Sequence, residues 1–282
     1  MQLTAKLLEL NPEVTREKIT RFIKDYTNKA RAKGIVLGVS GGVDSAATAA
    51  LSSKAIGGDN VLGLYMPEEE TYNEIDQRHV RLLAKKFSFR LKAVDLTETL
   101  SELYRAIPDY DPEDKVSRGN LKARTRMLTL YYYANHTNRI VATGSDKSET
   151  MIGYYTKWGD AAADIAPMMD LYKTQVRQLA QHLGVPPAIA RKPATPALWP
   201  DQTAEKEIGF KYETLDLMFY GLERFMSPHS IAKQLRLPVK TIEAVKKKWL
   251  QAEHKRQMPL TPKLEYRTIK HDFRLTRTTE AV

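Results

Sequence analysis

Gly38-Val39-Ser40-Gly41-Gly42-Val43-Asp44-Ser45-Ala46 follows the apolar run Ile35-Val36-Leu37 and leads into Ala-rich, helix-prone sequence reaching Lys54. A short buried strand, a glycine loop and a helix start together make a place for phosphate. Glycines let the backbone approach an anion and adopt positive φ. Free N–H groups at the helix N-terminus point at that anion, and the helix dipole favours its charge. Ser40 and Ser45 add hydroxyl donors. Asp44 is the odd member, because a carboxylate beside phosphate is repulsive unless it holds a cation. That points to Mg²⁺ between Asp44 and the phosphates. The bland alternative is a ligand-free turn between strand and helix, but such a turn needs one glycine, not this hexapeptide with an Asp inside.

Outward from the loop, apolar runs alternate with amphipathic stretches, as in a parallel sheet covered by helices. The spacing predicts strands over 34–39, 60–66, 90–95 and 139–143. It predicts helices over 15–32, 44–54, 73–87, 119–135 and 173–183, the last stopped by Gly184 with Pro186 and Pro187 beyond. The expected fold is α/β, a three-layer doubly wound parallel sheet with a helical C-terminal extension. The chain reads as one domain over 1–282: a helical segment 1–33, a nucleotide-binding core 34–217 and a C-terminal helical segment with tail 218–282. Two stretches read as loops. Pro67-Glu68-Glu69-Glu70-Thr71 follows a strand, and 192–208, broken by Pro193, Pro196 and Pro200, has the length of a lid.

Composition narrows the class. A length of 282 residues with 42% hydrophobic residues supports a sizeable core. No stretch approaches the roughly 18 uninterrupted apolar residues of a membrane span, and Met1-Gln2-Leu3-Thr4-Ala5-Lys6 lacks the basic start and apolar core of a signal peptide. A cytoplasmic protein is expected. Cysteine is absent, which excludes disulfides, thiolate metal sites and cysteine nucleophiles. The net charge of +10 suits polyanionic partners, nucleotide or nucleic acid, and equally a plain solvated basic surface.

The fourth predicted strand runs into Thr143-Gly144-Ser145-Asp146-Lys147-Ser148-Glu149. Ligands of a doubly wound sheet sit outside the C-terminal strand ends, so Asp44 and Glu149 can reach one place, as metal ligands or as a base; the alternative for Glu149 is a solvent-facing helix residue. Next come Gly153-Tyr154-Tyr155-Thr156-Lys157-Trp158-Gly159-Asp160 and Asp164-Ile165, aromatics and charges suited to a polar ligand with a flat ring. Asp170-Leu171-Tyr172-Lys173-Thr174-Gln175-Val176 then opens a helix, with Asp170 as N-cap and Lys173 within reach of a phosphate.

The 38–46 loop lacks the spacing and lysine of a Walker A loop. It resembles the PP-loop, S-G-G-x-D-S, of ATP pyrophosphatases. The later motifs make the resemblance specific. Lys147-Ser148-Glu149, Tyr155-Thr156-Lys157-Trp158-Gly159-Asp160, Asp170 to Val176, Leu198-Trp199, Gln202-Thr203, Glu207-Ile208-Gly209 and Tyr212-Glu213-Thr214-Leu215-Asp216 occur in the order found in NAD synthetases. Asn120-Leu121-Lys122-Ala123-Arg124-Thr125-Arg126-Met127 upstream, and His254-Lys255-Arg256 with Pro259 downstream, extend the resemblance over 38–259.

The resemblance implies an adenine nucleotide alpha hydrolase-like fold and ATP-dependent amidation of deamido-NAD by ammonia through an acyl-adenylate, giving NAD⁺, AMP and pyrophosphate. It implies that Gly38, Val39, Ser40, Gly41, Gly42, Val43, Asp44 and Ser45 hold ATP with Lys173 and Thr195. Asp44 and Glu149 would hold Mg²⁺, and Arg124, Lys157, Asp164, His254 and Lys255 would bind deamido-NAD. Asp160 would help deprotonate ammonium. A homodimer is implied, as is free ammonia as nitrogen donor, since glutamine users carry a further domain with a nucleophilic cysteine.

Three departures stand out. The family's Gly-Thr after the fourth strand is Thr143-Gly144, its Gly-Gly is Ala161-Ala162, and its lid start gains Pro196. They leave room for a diverged relative that amidates another carboxylate. A tRNA-thiolating enzyme fits less well without cysteine. A rival from another class is a helix-turn-helix nucleic-acid binder over 227–255, against which Ile242, Val245, Trp249 and Leu250 read as a buried stripe within a packed helical hairpin. No nucleic-acid partner is expected.

Overall fold

The computed structural model describes residues 2–268. Its helices are α1 (Pro12–Lys29), α2 (Val43–Ile56), α3 (Glu74–Phe87), α4 (Thr97–Ala106), α5 (Lys115–Thr137), α6 (Lys147–Ile152), α7 (Lys173–His182), α8 (Pro187–Ala190), α9 (Ala204–Ile208), α10 (Tyr212–Leu222), α11 (Pro228–Leu235), α12 (Val239–Gln251) and α13 (Glu253–Arg256). The strands are β1 (Ile35–Gly38), β2 (Val61–Tyr65), β3 (Arg90–Ala93) and β4 (Ile140–Val141). All four pair in parallel in the order β3-β2-β1-β4.

That order makes the sheet doubly wound. From β1 the chain moves outward to β2 and β3, then returns to lay β4 on the other side of β1. The crevice between β1 and β4 is therefore the topological switch point, where ligands of such sheets bind. Strand residues alternate between two apolar layers, as a sheet covered on both faces requires. Ile35 and Leu37 pack with α1, α2 and α7; Val36, Leu62 and Leu64 pack with Leu96 and with Leu100 of α4 and Ala134 of α5. A third apolar cluster joins Leu3 and Leu8 to α6, α9, α10, α11 and α12.

All four predicted strands and five predicted helices exist, with shifted ends. Helix α1 starts earlier because Asn11 accepts from Val14 N and Pro12 occupies the first helical position, where a missing N–H costs nothing. Helix α5 is longer than 119–135 because Asp114 caps it, accepting from Ser117 N. The fourth strand shrinks to two residues, its line continued by an Ala142–Ile165 bridge. Helix α4 escaped the sequence reading, and Asp170 is no N-cap: it pairs with Lys147, while Gln175 Oε1 accepts from the Tyr172 backbone N–H.

The acidic turn after β2 is anchored. Fully buried Lys122 holds Glu68 and Glu70 at 2.8 and 2.7 Å, and Arg118 adds a second contact to Glu70. Helices α11 and α12 form the expected packed hairpin. Ile242 and Val245 are buried and Trp249 packs on Phe219, whereas Leu250, expected in the stripe, is exposed. Among the described residues no helix is long and apolar enough to cross a membrane. The tail beyond residue 268 lies outside the described residues.

Candidate active site

The 38–46 loop turns out of β1 with Gly41 at φ +80°, and a Cβ there would stand 3.1 Å from the Asp76 carbonyl oxygen. A side chain at this position would be strained twice, in backbone and in space. Ser40 and Ser45 brace the loop: Ser45 Oγ accepts from Ser40 N at 3.2 Å and donates to Gly42 O at 3.1 Å. No side chain caps α2 among the described residues, so its first N–H groups face the space above the loop. The turn after β4 closes on this loop. A Cβ at Gly144 would lie 3.2 Å from the Asp44 carbonyl carbon, so glycine permits the approach.

Between the two loops opens a cavity of about 500 Å³. Of the residues expected there, Gly38, Val39, Ser40, Gly42, Val43, Asp44, Ser45, Glu149, Asp160, Thr195 and Lys255 line it. Gly41 shapes the loop from behind. Lys173, Arg124, Lys157, Asp164 and His254 do not line the cavity.

Lys173 is fully buried behind the cavity wall. Its Nζ stands 2.8 Å from Asp44 Oδ2, 2.6 Å from Asp146 Oδ2 and 2.8 Å from Glu149 Oε1. Burial opposes its charge, but the three carboxylates outweigh burial and hold its pKa well above the ordinary lysine value. Burial, and then mutual repulsion, raise the Glu149 carboxyl well above its usual range; burial raises Asp146 as well. In this structure Lys173 is therefore the counter-ion of three carboxylates. Asp216, itself buried, fixes this arrangement: it accepts from Ser148 Oγ at 2.5 Å and from Thr174 N and Oγ1 at 3.0 and 2.8 Å, tying α6, α7 and α10 together. Burial lifts its pKa to about 7.

The cluster has a formal charge of −2 with Lys173 protonated. Asp44 Oδ1 is a buried acceptor without a protein partner. Two pocket-facing hard oxygen donors and one orphaned carboxylate oxygen fit Mg²⁺, which takes one or two carboxylates and completes its shell with water and phosphate.

Asp160 also lines the cavity. Its Oδ1 accepts from Thr156 N at 2.8 Å. The displaced Thr143 hydroxyl points inward, donating to Asp160 O at 2.8 Å, so it supports this wall. Desolvation pushes the Asp160 pKa up, against the pull of the Thr156 hydrogen bond and of Lys255 and Arg126. Lys255 donates to Gly153 O and Tyr155 O at 2.7 and 2.8 Å. Neighbouring His254 is exposed.

The lid is seated. Lys192 pairs with Asp76, and Leu198 and Trp199 lie against Gly119 at the start of α5. Gln202 Oε1 accepts from Leu198 N at 2.9 Å, and Tyr154 Oη donates to Glu207 Oε2 at 2.5 Å. Arg124 and Lys157 meet on the outer surface, where Arg124 Nη2 donates to Lys157 O at 3.3 Å, and Asp164 Oδ2 accepts from Val141 N at 2.7 Å.

Asp146, Asp216 and Arg126 were missed as site residues. Asp146 and Glu149 carry a signal, an acidic residue three before a glutamate, which is a helix N-cap pattern; Asp146 indeed accepts from Glu149 N. Asp216 sits between Leu215 and Leu217-Met218-Phe219, and a lone acid in an apolar run signals a buried polar partner.

Residues 15–259 match the sequence profile of the NAD synthase family. The chain is 43% identical over 258 residues to the NH₃-dependent NAD⁺ synthetase of Hyperthermus butylicus, covering 91% of this chain and 93% of that one. Its fold is similar to the NMN synthetase of Francisella tularensis, with TM-score 0.80, 29% identity, and coverage of 91% of this chain and 100% of that chain. It is also similar to the NH₃-dependent NAD synthetase of Campylobacter jejuni, solved with nitrate, at TM-score 0.72, 28% identity, and coverage of 90% and 100%. The chain belongs to the NAD synthase family.

Proposed function

We propose that this protein amidates the nicotinate carboxylate of deamido-NAD with ammonia at the expense of ATP, giving NAD⁺, AMP and pyrophosphate. The observation that carries this reading is that the 38–46 loop, Asp44, Glu149 and Asp160 of a NAD synthase family chain share one cavity. A carboxylate resists ammonia because its leaving group is oxide, and adenylation removes that obstacle. A carboxylate oxygen attacks the α-phosphorus, the bond to the bridging oxygen breaks, and pyrophosphate leaves toward the loop. The N–H groups at the start of α2 and the hydroxyls of Ser40 and Ser45 receive its developing charge, worth on the order of 3 kcal/mol per well-placed donor. Mg²⁺, held by Asp44 and Glu149, would neutralise phosphate charge. Lys173 keeps those two carboxylates correctly placed and limits their repulsion.

Ammonia then attacks the acyl carbon and AMP leaves. Asp160 takes the surplus proton; desolvation raises its pKa, which makes it a stronger base than an exposed aspartate. The seated lid keeps water from the adenylate. Thr195 lines the cavity from the lid and would contact ATP there.

Arg124, Lys157 and Asp164 serve the distal nucleotide of the dinucleotide. They lie beside an exposed stripe of α5, Leu128 and Tyr132, with exposed Phe22 and Tyr26 on α1. A second copy seated on this stripe would cover both the apolar surface and the distal nucleotide, which makes a homodimer the working form. The likeness to an NMN synthetase favours one second reading, the deamido mononucleotide as substrate. The outer Arg124–Lys157 group argues for the longer substrate, since a mononucleotide leaves it unused.

The test is a coupled assay with ATP, Mg²⁺ and either deamido-NAD or its mononucleotide, each with ammonium or glutamine. NAD⁺ from deamido-NAD with ammonium alone supports the reading. Turnover of the mononucleotide alone replaces the substrate, and AMP release without any amide refutes the ammonia step.

A further inference from the structure

We infer that Arg126 is an oxyanion-binding residue of this cavity, taking an anionic group where the two substrates meet: the reacting carboxylate or the α-phosphoryl group of ATP. This rests on the amidation reading and adds a ligand contact to it.

Helix α5 presents two stripes at helical spacing. Asn120, Ala123, Arg126, Met127 and Leu130 line the cavity, whereas Arg124, Leu128 and Tyr132 face outward. The two arginines of the Arg124-Thr125-Arg126 run therefore serve different surfaces. Only Arg126 reaches the enclosed one.

The other cations around the cavity are committed. Lys173 holds three carboxylates, Lys192 holds Asp76, Lys122 holds Glu68 and Glu70, and Lys255 donates to two backbone carbonyls. The half-buried Arg126 guanidinium makes no hydrogen bond or ion pair among the described residues. Glu68 and Asp160 act on it at longer range, yet both are engaged elsewhere: Glu68 accepts from Lys122 and Thr71, and Asp160 accepts from Thr156 N. A guanidinium with five donors, partly withdrawn from water and lacking an acceptor, is unfavourable until an anion arrives. Its planar fork matches the two oxygens of a carboxylate or phosphoryl group. The loop and the α2 N-terminus already serve the leaving phosphates. Arg126 instead shares its end of the cavity with Asp160, the residue placed at the amidation step.

The experiment titrates the wild-type protein, Arg126→Leu and Arg126→Lys with two ligand pairs, by calorimetry in Mg²⁺. Deamido-NAD and NAD⁺ differ by one carboxylate; AMP and adenosine differ by the α-phosphoryl group. Arg126→Leu should weaken the anionic member of one pair about tenfold or more and leave its neutral partner within about threefold. Loss on deamido-NAD assigns the carboxylate, and loss on AMP assigns the phosphoryl group. Equal loss on all four ligands, or no loss on any, overturns the proposal. Should Arg126→Leu fail to fold, Arg126→Lys decides by the same criterion, because it keeps the charge and removes the fork. Failure of the amidation reading shows separately, as wild-type protein that makes no NAD⁺ yet still loses AMP binding in the variants.

Discussion

Replacing Lys173 with methionine leaves Asp44, Asp146 and Glu149 facing one another without a cation. In the native protein each lies within 2.8 Å of the Lys173 ammonium, and neither Lys173 nor Asp146 touches solvent. Breaking a buried ion pair from one side costs about 3–5 kcal/mol, because the surviving charge stays buried. At about 2–4 °C per kcal/mol for a chain of this size, the melting temperature should fall roughly 6–20 °C. The sign of the pH dependence follows from the carboxylates. Asp146 and Glu149 already titrate above their ordinary values because of burial, and losing Lys173 raises them further. A folded-state pKa above the unfolded value means the native state binds the extra proton between the two, so stability falls as pH rises through that window. Urea unfolding of Lys173→Met should therefore show its largest deficit near about pH 7.5 and a smaller one near about pH 5. Adding Asp146→Asn should restore part of the loss, the signature of direct coupling. A deficit below about 1 kcal/mol, or one that grows on acidification, refutes the charge balance described here.

Asp160→Asn should lower turnover on the order of a hundredfold at subsaturating ammonium; undiminished turnover there would remove Asp160 as the base. Glu207→Gln weakens the Tyr154 and Gln202 contacts that seat the lid, so AMP release should exceed NAD⁺ formation as the adenylate meets water. An AMP to NAD⁺ ratio still at unity would mean these contacts do not guard it. Leu128→Glu places a charge in the exposed α5 stripe and should shift sedimentation toward the monomer while raising KM for deamido-NAD; an unchanged dimer would move the interface elsewhere.

The sheet was legible because a strand buried on both faces cannot hide its composition: Ile35-Val36-Leu37 and Val61-Leu62-Gly63-Leu64 have no polar positions. The edge strand β3 is largely exposed and carries a weaker apolar signal, Leu91 being its one partly buried residue. Helix α4 was not found, although Leu100, Leu103 and Tyr104 stand at helical spacing; the helix is short and buries only Leu100. The phosphate loop was legible because glycine positions report backbone geometry directly. Lys173 was legible as a cation near the phosphate loop; its carboxylate partners were not, because they come from residues 44, 146 and 149, joined only by folding. Motif resemblance groups residues by their order along the chain, and order does not say which face of a helix each one occupies.

Helix α5 shows the consequence. Arg124 and Arg126 stand two residues apart in one motif, about 200° apart around a helix of 3.6 residues per turn. One faces solvent beside Lys157; the other faces the cavity beside Asp160. A dinucleotide substrate has two chemically separate ends, a reacting ring and a distal adenylate. A single helix with a cation on each face can address both ends only if the substrate runs around its edge. The outer end is then left open to solvent unless another surface covers it, and the uncovered Leu128 and Tyr132 lie on that side. On the proposed dinucleotide substrate, the split of the cationic residues between cavity and surface and the exposure of the α5 stripe would share one explanation, a substrate site completed by a second copy of the chain.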